Sequence, residues 1–209
     1  MALNFEKRKY RLTGLTAVLG SQPASRTLRT EFIASKAPTM ELAEEEDAML
    51  GNVEERGLTV FLRDPDEDNL MMLNYMLCGY FKGSLEALVA QTGVKMPRSK
   101  VDRYLKIEQR KIPFTRNGEL IYEEDDQLER PLRADTPKGP RVSLTASEMI
   151  DLPWQIEFEV TLFPNDATPK SRALSWETVE DALEYGRYSG LGQWHNGGNG
   201  CFTWERVDK

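Results

Sequence analysis

The sequence predicts an α+β fold in which an antiparallel sheet carries two main helices on one face. Residues 154–164 alternate apolar and polar side chains along WQIEFEVTLFP, which is typical of a strand with one buried face. Residues 58–64 and 70–75 read as the two arms of a hairpin around a PDEDN turn. Apolar residues recur at helical spacing in only two long segments, which start near Leu77 and Trp176.

The first quarter of the chain predicts two strands and a short helix. Residues 8–20 and 29–36 have the alternation expected of strands. Thr39 is a suitable N-cap for a helix over about residues 40–50, with acidic side chains in its first turns. Because this helix has apolar residues on one side only, we expect a surface insertion around residues 36–56.

The middle of the chain predicts one helix followed by extended segments. After the hairpin, the helical spacing runs from Leu77 to Gly93, and Gly93 is placed to end the helix. Residues 102–114 are expected to form a strand with basic side chains on one side. The segment around residues 123–150 is rich in proline, which forbids helix and disfavours a central strand. We therefore expect an extended surface segment there.

The last quarter predicts a strand, a helix, a glycine-rich loop and a final strand. Ser175 is the expected N-cap of the helix, and residues 201–207 read as the last strand. No repeat or long linker divides the chain, so residues 1–209 are expected to form a single domain.

Composition narrows the functional class. The chain has 209 residues, a net charge of −7, two cysteines and one histidine. It has no apolar run long enough to span a membrane and no hydrophobic region typical of a secretory signal, so a cytoplasmic protein is expected. Reduced thiols are favoured over a disulfide between Cys78 and Cys201. Two cysteines and one histidine are too few for an ordinary zinc site, and we expect no metal and no cofactor.

Charge is segregated along the sequence. Residues 41–56 and 123–130 are strongly acidic, whereas residues 1–36 and 97–116 are basic. This pattern is compatible with one basic face and one acidic face. It is equally compatible with acidic helices or loops that are simply solvated.

The most unusual segment is YGRYSGLGQWHNGGNGCFTW, residues 185–204, hereafter the glycine loop. It contains Arg187, the only histidine, His195, and six glycines. Glycine loses more conformational entropy on folding than other residues, so such a cluster indicates positive φ angles or close backbone approach. Exposed N–H groups beside aromatic rings and an arginine suit a phosphate backbone or a nucleotide.

Two short motifs resemble the RAMP superfamily, the RNA-binding backbone subunits of CRISPR effector complexes. Gly79-Tyr-Phe-Lys82-Gly83 resembles the glycine- and lysine-containing helix segment of that family, and the run from Gly190 to Gly200 is similar to its glycine-rich loop. The resemblance implies a ferredoxin-like, RNA-recognition-type fold and RNA binding. The chain departs from the family at Glu86, where arginine is usual. Its general texture also resembles proteins of phages and prophages of Gram-positive bacteria, which implies action in the host cytoplasm.

The first hypothesis is therefore a non-catalytic, RAMP-like protein that binds RNA or a nucleotide. Stacking on Tyr188 and Trp194, phosphate contacts from the loop and an arginine clamp in the proline-rich segment would provide the affinity. The expected partners also include a protein complex or a second copy of the chain. The candidate contact residues are Lys82, Arg130, Arg133, Arg141, Arg187, Tyr188, Gly190, Gly192, Trp194, His195, Gly197 and Gly198.

Three other interpretations stay open. His195 would be the general acid or base of a RAMP-like endoribonuclease, assisted by Tyr185 or Tyr188. A phage-encoded interaction protein would antagonise a host nucleoprotein immune complex or sequester a nucleotide signal. In the plain structural interpretation, Trp194 and Trp204 belong to the core and the arginines pair with nearby acids.

Overall fold

The computed structural model describes residues 5–24, 57–136 and 139–208, with the backbone alone for residues 132–136 and 139–144. The expected strand at 29–36, the expected helix at 40–50 and the expected surface insertion around 36–56 lie outside the described residues.

The described residues form a mixed α+β structure with mostly antiparallel sheets. The strands, numbered in chain order, are β1 (Lys7–Gly14), β2 (Val18–Leu19), β3 (Gln22–Pro23), β4 (Leu58–Val60), β5 (Leu62–Arg63), β6 (Leu70–Leu73), β7 (Leu105–Lys106), β8 (Lys111–Pro113), β9 (Thr115–Arg116), β10 (Glu119–Leu120), β11 (Asp126–Thr136), β12 (Gly139–Ile150), β13 (Gln155–Leu162) and β14 (Phe202–Arg206). The helices are α1 (Asn74–Ala87), α2 (Val89–Thr92), α3 (Pro97–Tyr104) and α4 (Trp176–Glu184), with 3₁₀ turns at Tyr185–Arg187 and His195–Gly197.

The main sheet has the strand order β10-β9-β13-β1-β14, and β7 also pairs with β13. Every pairing in it is antiparallel. The strand expected at 154–164 is confirmed as β13, and its alternation places Ile156, Phe158 and Val160 on the buried face. The strand expected at 201–207 is confirmed as β14.

Helices α1 and α4 cover that buried face. Leu77 and Phe81 of α1 join Phe158 of β13 and Val179 and Leu183 of α4 in one hydrophobic cluster. Burying an apolar side chain of this size contributes about 1.5–3 kcal/mol relative to exposure, so this layer is a main source of stability. Two helices on one face of an antiparallel sheet confirm the expected α+β class.

Helix α4 begins where the sequence predicts. The Ser175 hydroxyl accepts from the Thr178 backbone N–H, and the Thr178 hydroxyl accepts in return from the Ser175 N–H at 2.8 Å. This reciprocal capping box satisfies two N–H groups at the helix start.

Two smaller sheets extend the core. One has the order β11-β12-β4-β3 with β2 also on β12, and the other has the order β5-β6-β8. The hairpin expected at 58–64 and 70–75 is only partly present, because β5 pairs with β6 whereas β4 pairs with β3 and β12.

The expectation that proline keeps the 123–150 segment out of a central strand is wrong. β12 lies between β11 and β4, and it pairs with β4 only at Ala146 and Ser147. Pro131 lies on the edge strand β11, and Pro140 pairs with Asp135 close to the turn. The prolines therefore avoid the positions where β12 is flanked on both sides, so they cost no sheet hydrogen bond there.

The strand expected over 102–114 is also wrong in its first part. Residues Pro97–Tyr104 form helix α3, and the rest of the range holds two short strands, β7 and β8, instead of one. Pro97 is compatible with the first turn of a helix, and Val101, one turn later, is buried with it.

None of the described helices is long and apolar enough to cross a bilayer.

Candidate functional site

A pocket of about 420 Å³ lies between helix α1 and the glycine loop. Its size falls within the roughly 300–1,000 Å³ usual for small-molecule sites. The pocket is lined by Ser21, Met72, Met76, Gly79, Tyr80, Gly83, Ser84, Ala87, Tyr185, Ser189, Gly190, Leu191, Gly192, His195 and Asn196.

The helical side of the pocket is made smooth by small residues. Gly79 and Gly83 lie one turn apart on α1, and a Cβ atom added to either would meet nothing within 4 Å. Ala87 continues this face by another turn. Met76 and Tyr80 add apolar surface beside the glycines. The two glycines therefore leave space in the pocket that a larger side chain would fill.

The other side of the pocket is built by close contact of the glycine loop with the protein's own backbone. A Cβ at Gly190 would lie 2.2 Å from the Gly200 carbonyl carbon, and one at Gly192 would lie 2.3 Å from the Leu19 carbonyl oxygen. The Leu191 N–H donates to the Gly200 carbonyl at 2.9 Å. At these positions, glycine is required by internal packing.

The tip of the glycine loop is more open. Gly198 has a φ of 86°, and a Cβ there would meet nothing within 4 Å. The 3₁₀ turn His195–Gly197 leads into it, and His195 and Asn196 line the pocket. The first N–H groups of such a turn have no partner inside it.

Trp194 and Arg130 contact each other. The Arg130 guanidinium carbon lies 4.3 Å from the centre of the Trp194 ring, which is cation–π geometry. Arg130 is 9% exposed, and its Nε has no hydrogen-bond partner among the described residues. Burial lowers the pKa of this guanidinium. Trp194 has a φ of 51°, which is unusual for a residue other than glycine, and its side chain remains 42% exposed.

His195 is exposed and has a weak internal anchor. Its Nδ1 lies 3.3 Å from the Gly192 carbonyl oxygen. A general base needs a partner that fixes its ring and a second group that acts on the substrate. In the described part of the chain, a backbone carbonyl is the only hydrogen-bond partner of this ring.

Lys82, Arg187 and Tyr188 do not line the pocket. Lys82 Nζ lies 2.6 Å from Asp102, and Arg187 Nε lies 2.6 Å from Glu184. Tyr188 is 77% exposed on the surface. The side chains of Arg133 and Arg141 are outside the described residues, although β11 and β12 place their backbones on facing strands, with Ala134 opposite Arg141.

The face of the main sheet that lies opposite the helices, hereafter the open face, carries ion pairs. Arg11 on β1 lies 2.6 Å from Glu157 and 2.9 Å from Glu205, on the strands to either side. Lys9 also contacts Glu157, at 2.5 Å. Hydrogen bonds from Lys9 and Arg11 keep the pKa of Glu157 below its usual range because they stabilise the charged carboxylate. The basic N-terminal segment is therefore largely neutralised at this sheet.

Half of the acidic run at residues 123–126 is neutralised in the same way. Glu124 pairs with Arg63 at 2.8 Å, and Asp125 pairs with Arg116 at 2.5 Å. These arginines lie on other strands, so sequence neighbours did not reveal the pairs.

The sequence identifies the two segments that form opposite walls of the pocket, but it does not indicate that they come together in the fold. Gly79 and Gly83 were noted as one motif, and the glycine loop as another. Ser21 and Met72 carry no sequence signal, because only the fold brings them to the same place. Among the described residues, no three His, Cys, Asp or Glu side chains are placed to hold a metal ion.

Comparison with protein-family models finds no match to this sequence, and comparison with curated proteins finds none either.

Proposed function

We propose that this protein is a non-catalytic, RAMP-like RNA- or nucleotide-binding protein whose ligand enters the pocket between α1 and the glycine loop. One observation carries the proposal. The helix motif Gly79–Gly83 and the loop segment Gly190–Gly192, which are far apart in sequence, line the same pocket. They are also the two segments on which the resemblance to RNA-binding proteins rests.

The chemistry of the pocket suits the base and ribose of a nucleotide. Among the described residues, no Asp, Glu, Lys or Arg side chain lines it. Tyr80, Met76 and Leu191 supply flat or apolar surface, whereas Ser189 and Asn196 supply hydrogen-bonding groups. A base stacked on such surface and bonded along its edge is the usual mode of single-stranded RNA recognition.

The fold supports the same proposal, and we propose that it is ferredoxin-like. If β1, β9, β13 and β14 are taken as the four core strands, their spatial order is fourth, first, third, second. Helix α1 follows β1 in the chain, and α4 connects β13 to β14. With this choice of strands, the order of elements matches the β-α-β-β-α-β arrangement. RNA-recognition folds commonly stack bases on aromatic side chains of the open sheet face, but here that face carries ion pairs. We therefore assign the ligand to the side of the sheet that carries the helices. The cytoplasm is the proposed location of the protein.

Gly83 provides a direct test. In Gly83→Leu, the new side chain projects into the pocket, and we expect loss of nucleotide binding by at least about tenfold while the helix stays folded. Glycine in a helix interior costs about 0.5–1 kcal/mol relative to alanine, so Gly83→Ala is the matched control. It should unfold at higher temperature and retain binding. Titration calorimetry with nucleoside monophosphates and a short oligouridylate measures both variants.

Equal binding by the wild-type protein, Gly83→Leu and Gly83→Ala would contradict the proposal. Binding of a mononucleotide without binding of the oligonucleotide would favour the alternative, in which the protein sequesters a nucleotide signal. RNA cleavage that disappears in His195→Ala would instead establish the endoribonuclease interpretation.

A further inference from the structure

Most described cationic side chains are neutralised by a carboxylate of the same chain. Lys7, Arg8, Lys9 and Arg11 on β1 all make ion pairs. Paired in the same way are Arg63, Lys82, Arg98, Lys111, Arg116, Arg187 and Arg206. Among the described residues, Lys and Arg side chains without a carboxylate partner are therefore the minority.

Nearly all of these exceptions come from two short segments. Arg130, already described over Trp194, is one cation that pairs with no described carboxylate. The others belong to residues 95–106 and 170–172, and we name them the basic patch: Lys95, Lys100, Arg103, Lys106, Lys170 and Arg172.

The fold brings the two segments into direct contact. The Lys95 N–H donates to the Ser171 hydroxyl oxygen at 2.9 Å, and the Arg172 N–H donates to the Gly93 carbonyl at 3.0 Å. A tight turn closed by the Thr168 and Ser171 backbones presents Lys170 beside them. These contacts bring Lys95, Lys100, Lys170 and Arg172 to one surface, and Arg103 lies one turn beyond Lys100 on α3.

Lys100 lies at the junction of the two segments, and its partners among the described residues are all neutral. Its ammonium group donates to the Ser171 hydroxyl at 3.0 Å and to the Arg172 carbonyl. Partial burial lowers the pKa of this lysine. A cation that is partly desolvated beside other cations is unfavourable unless an anion approaches it.

The nearby acids do not neutralise this surface. Asp102 on α3 is paired with Lys82 at 2.6 Å, and Glu86 on α1 is paired with Arg98 at 2.6 Å. Asp166 is the remaining acid of the loop that precedes the turn, and it is exposed. The two ion pairs also hold α3 against α1, the helix whose small residues line the pocket.

We infer that the basic patch binds consecutive phosphates of a single-stranded RNA chain. The inference rests on the proposed function, since it extends the ligand from one nucleotide in the pocket to a strand that continues over the neighbouring helix α3. A neutral pocket for a base and a separate row of uncompensated cations are the two parts of a single-strand site.

The test compares two pairs of lysines. Lys95 and Lys170 are exposed, so Lys95→Gln/Lys170→Gln should leave the melting temperature unchanged. Affinity for a fluorescent oligouridylate is measured at several salt concentrations between ~50 and ~200 mM. Loss of two phosphate contacts should reduce the slope of log K against log salt by ~1.4 and weaken binding roughly tenfold at low salt.

Lys7→Gln/Lys9→Gln is the matched control, because it removes two lysines that are already paired on the open sheet face. It should bind RNA with the wild-type slope. An unchanged slope in the Lys95→Gln/Lys170→Gln variant would overturn the inference. So would equally tight, equally salt-dependent binding of polyglutamate, which would indicate an acidic protein partner.

The two proposals fail in different ways. Uridine monophosphate binding reports on the pocket and should survive in the Lys95→Gln/Lys170→Gln variant. If the mononucleotide does not bind but the oligonucleotide shows a patch-dependent slope, the pocket proposal fails alone. If Gly83→Leu abolishes RNA binding while the patch variant binds normally, the patch inference fails alone.

Discussion

At the scale of single residues, glycine in the loop has two distinct roles. Gly200 has a φ of 68°, and an added Cβ would lie 2.1 Å from the Leu191 carbonyl oxygen. Gly198 has a φ of 86° but open space around it. Gly200 is therefore required both by its close packing against Leu191 and by its positive φ, whereas Gly198 is required by its positive φ alone.

Alanine substitution should separate these roles. Gly200→Ala combines overpacking with a left-handed backbone, so the free energy of unfolding should fall by about 2–5 kcal/mol. Gly198→Ala should lose only about 1–2 kcal/mol because no atom opposes its methyl group. Urea denaturation measures both. Equal losses would show that the contact between Gly200 and Leu191 does not constrain the loop.

Glu148 is a buried acid whose ionisation should be visible in the stability of the protein. Its carboxylate accepts the Phe61 N–H at 2.8 Å, and burial raises its pKa from an ordinary 4.5 to about 6. Since the folded pKa is the higher one, the folded state binds the proton more tightly. Stability should therefore rise as the pH falls from 7 to 5, by about 1–2 kcal/mol.

Glu148→Gln keeps an acceptor for the Phe61 N–H and removes the charge. We expect the variant to be more stable than the wild type at pH 7, with little change between pH 7 and pH 5. Urea denaturation at the two pH values provides the comparison. A wild-type pH dependence in the variant would assign the effect to another group.

At the scale of elements, the contact between Arg130 and Trp194 joins the β11–β12 hairpin to the glycine loop. The two residues were predicted separately, one as a clamp and the other as a stacking surface. Their contact at 4.3 Å makes them a single unit. The strained φ of Trp194 is consistent with a side chain held by this partner.

A double-mutant cycle measures the strength of this connection. Arg130→Met, Trp194→Leu and the double variant should show a coupling free energy of about 0.5–2 kcal/mol, because the guanidinium is largely desolvated over the ring. Thermal and urea unfolding supply the values. Additive effects, with no coupling beyond ~0.3 kcal/mol, would mean that the hairpin is held by other contacts.

The elements also show which parts of the fold the sequence reveals. β13 and α4 were predicted because each presents one clean periodicity, and Ser175 marks the helix start. Helix α3 was missed because its eight residues, rich in basic side chains, present little apolar periodicity around Val101. The β11–β12 hairpin was misjudged because proline was weighed without knowing which strand forms the edge.

At the scale of the whole molecule, function depends on contacts between distant segments. The sequence identified the glycine loop and the Gly79–Gly83 motif, but not that they line one pocket. It also predicted segregated charge, yet the basic residues of β1 are neutralised across the sheet whereas Lys100 and Arg103 of α3 pair with no described carboxylate. The carboxylates that neutralise β1 are far from it in sequence, so only the tertiary structure distinguishes the basic segment of β1 from the basic segment of α3.

The most direct test of the pocket as a nucleotide site is chemical-shift mapping of the backbone amides during titration with uridine monophosphate. The amides of Gly79, Gly83, Gly190 and Gly192 should shift together and saturate with one dissociation constant, while those of Arg11 and Glu157 on the open sheet face stay still. No shift, or shifts confined to the sheet face, would contradict the account.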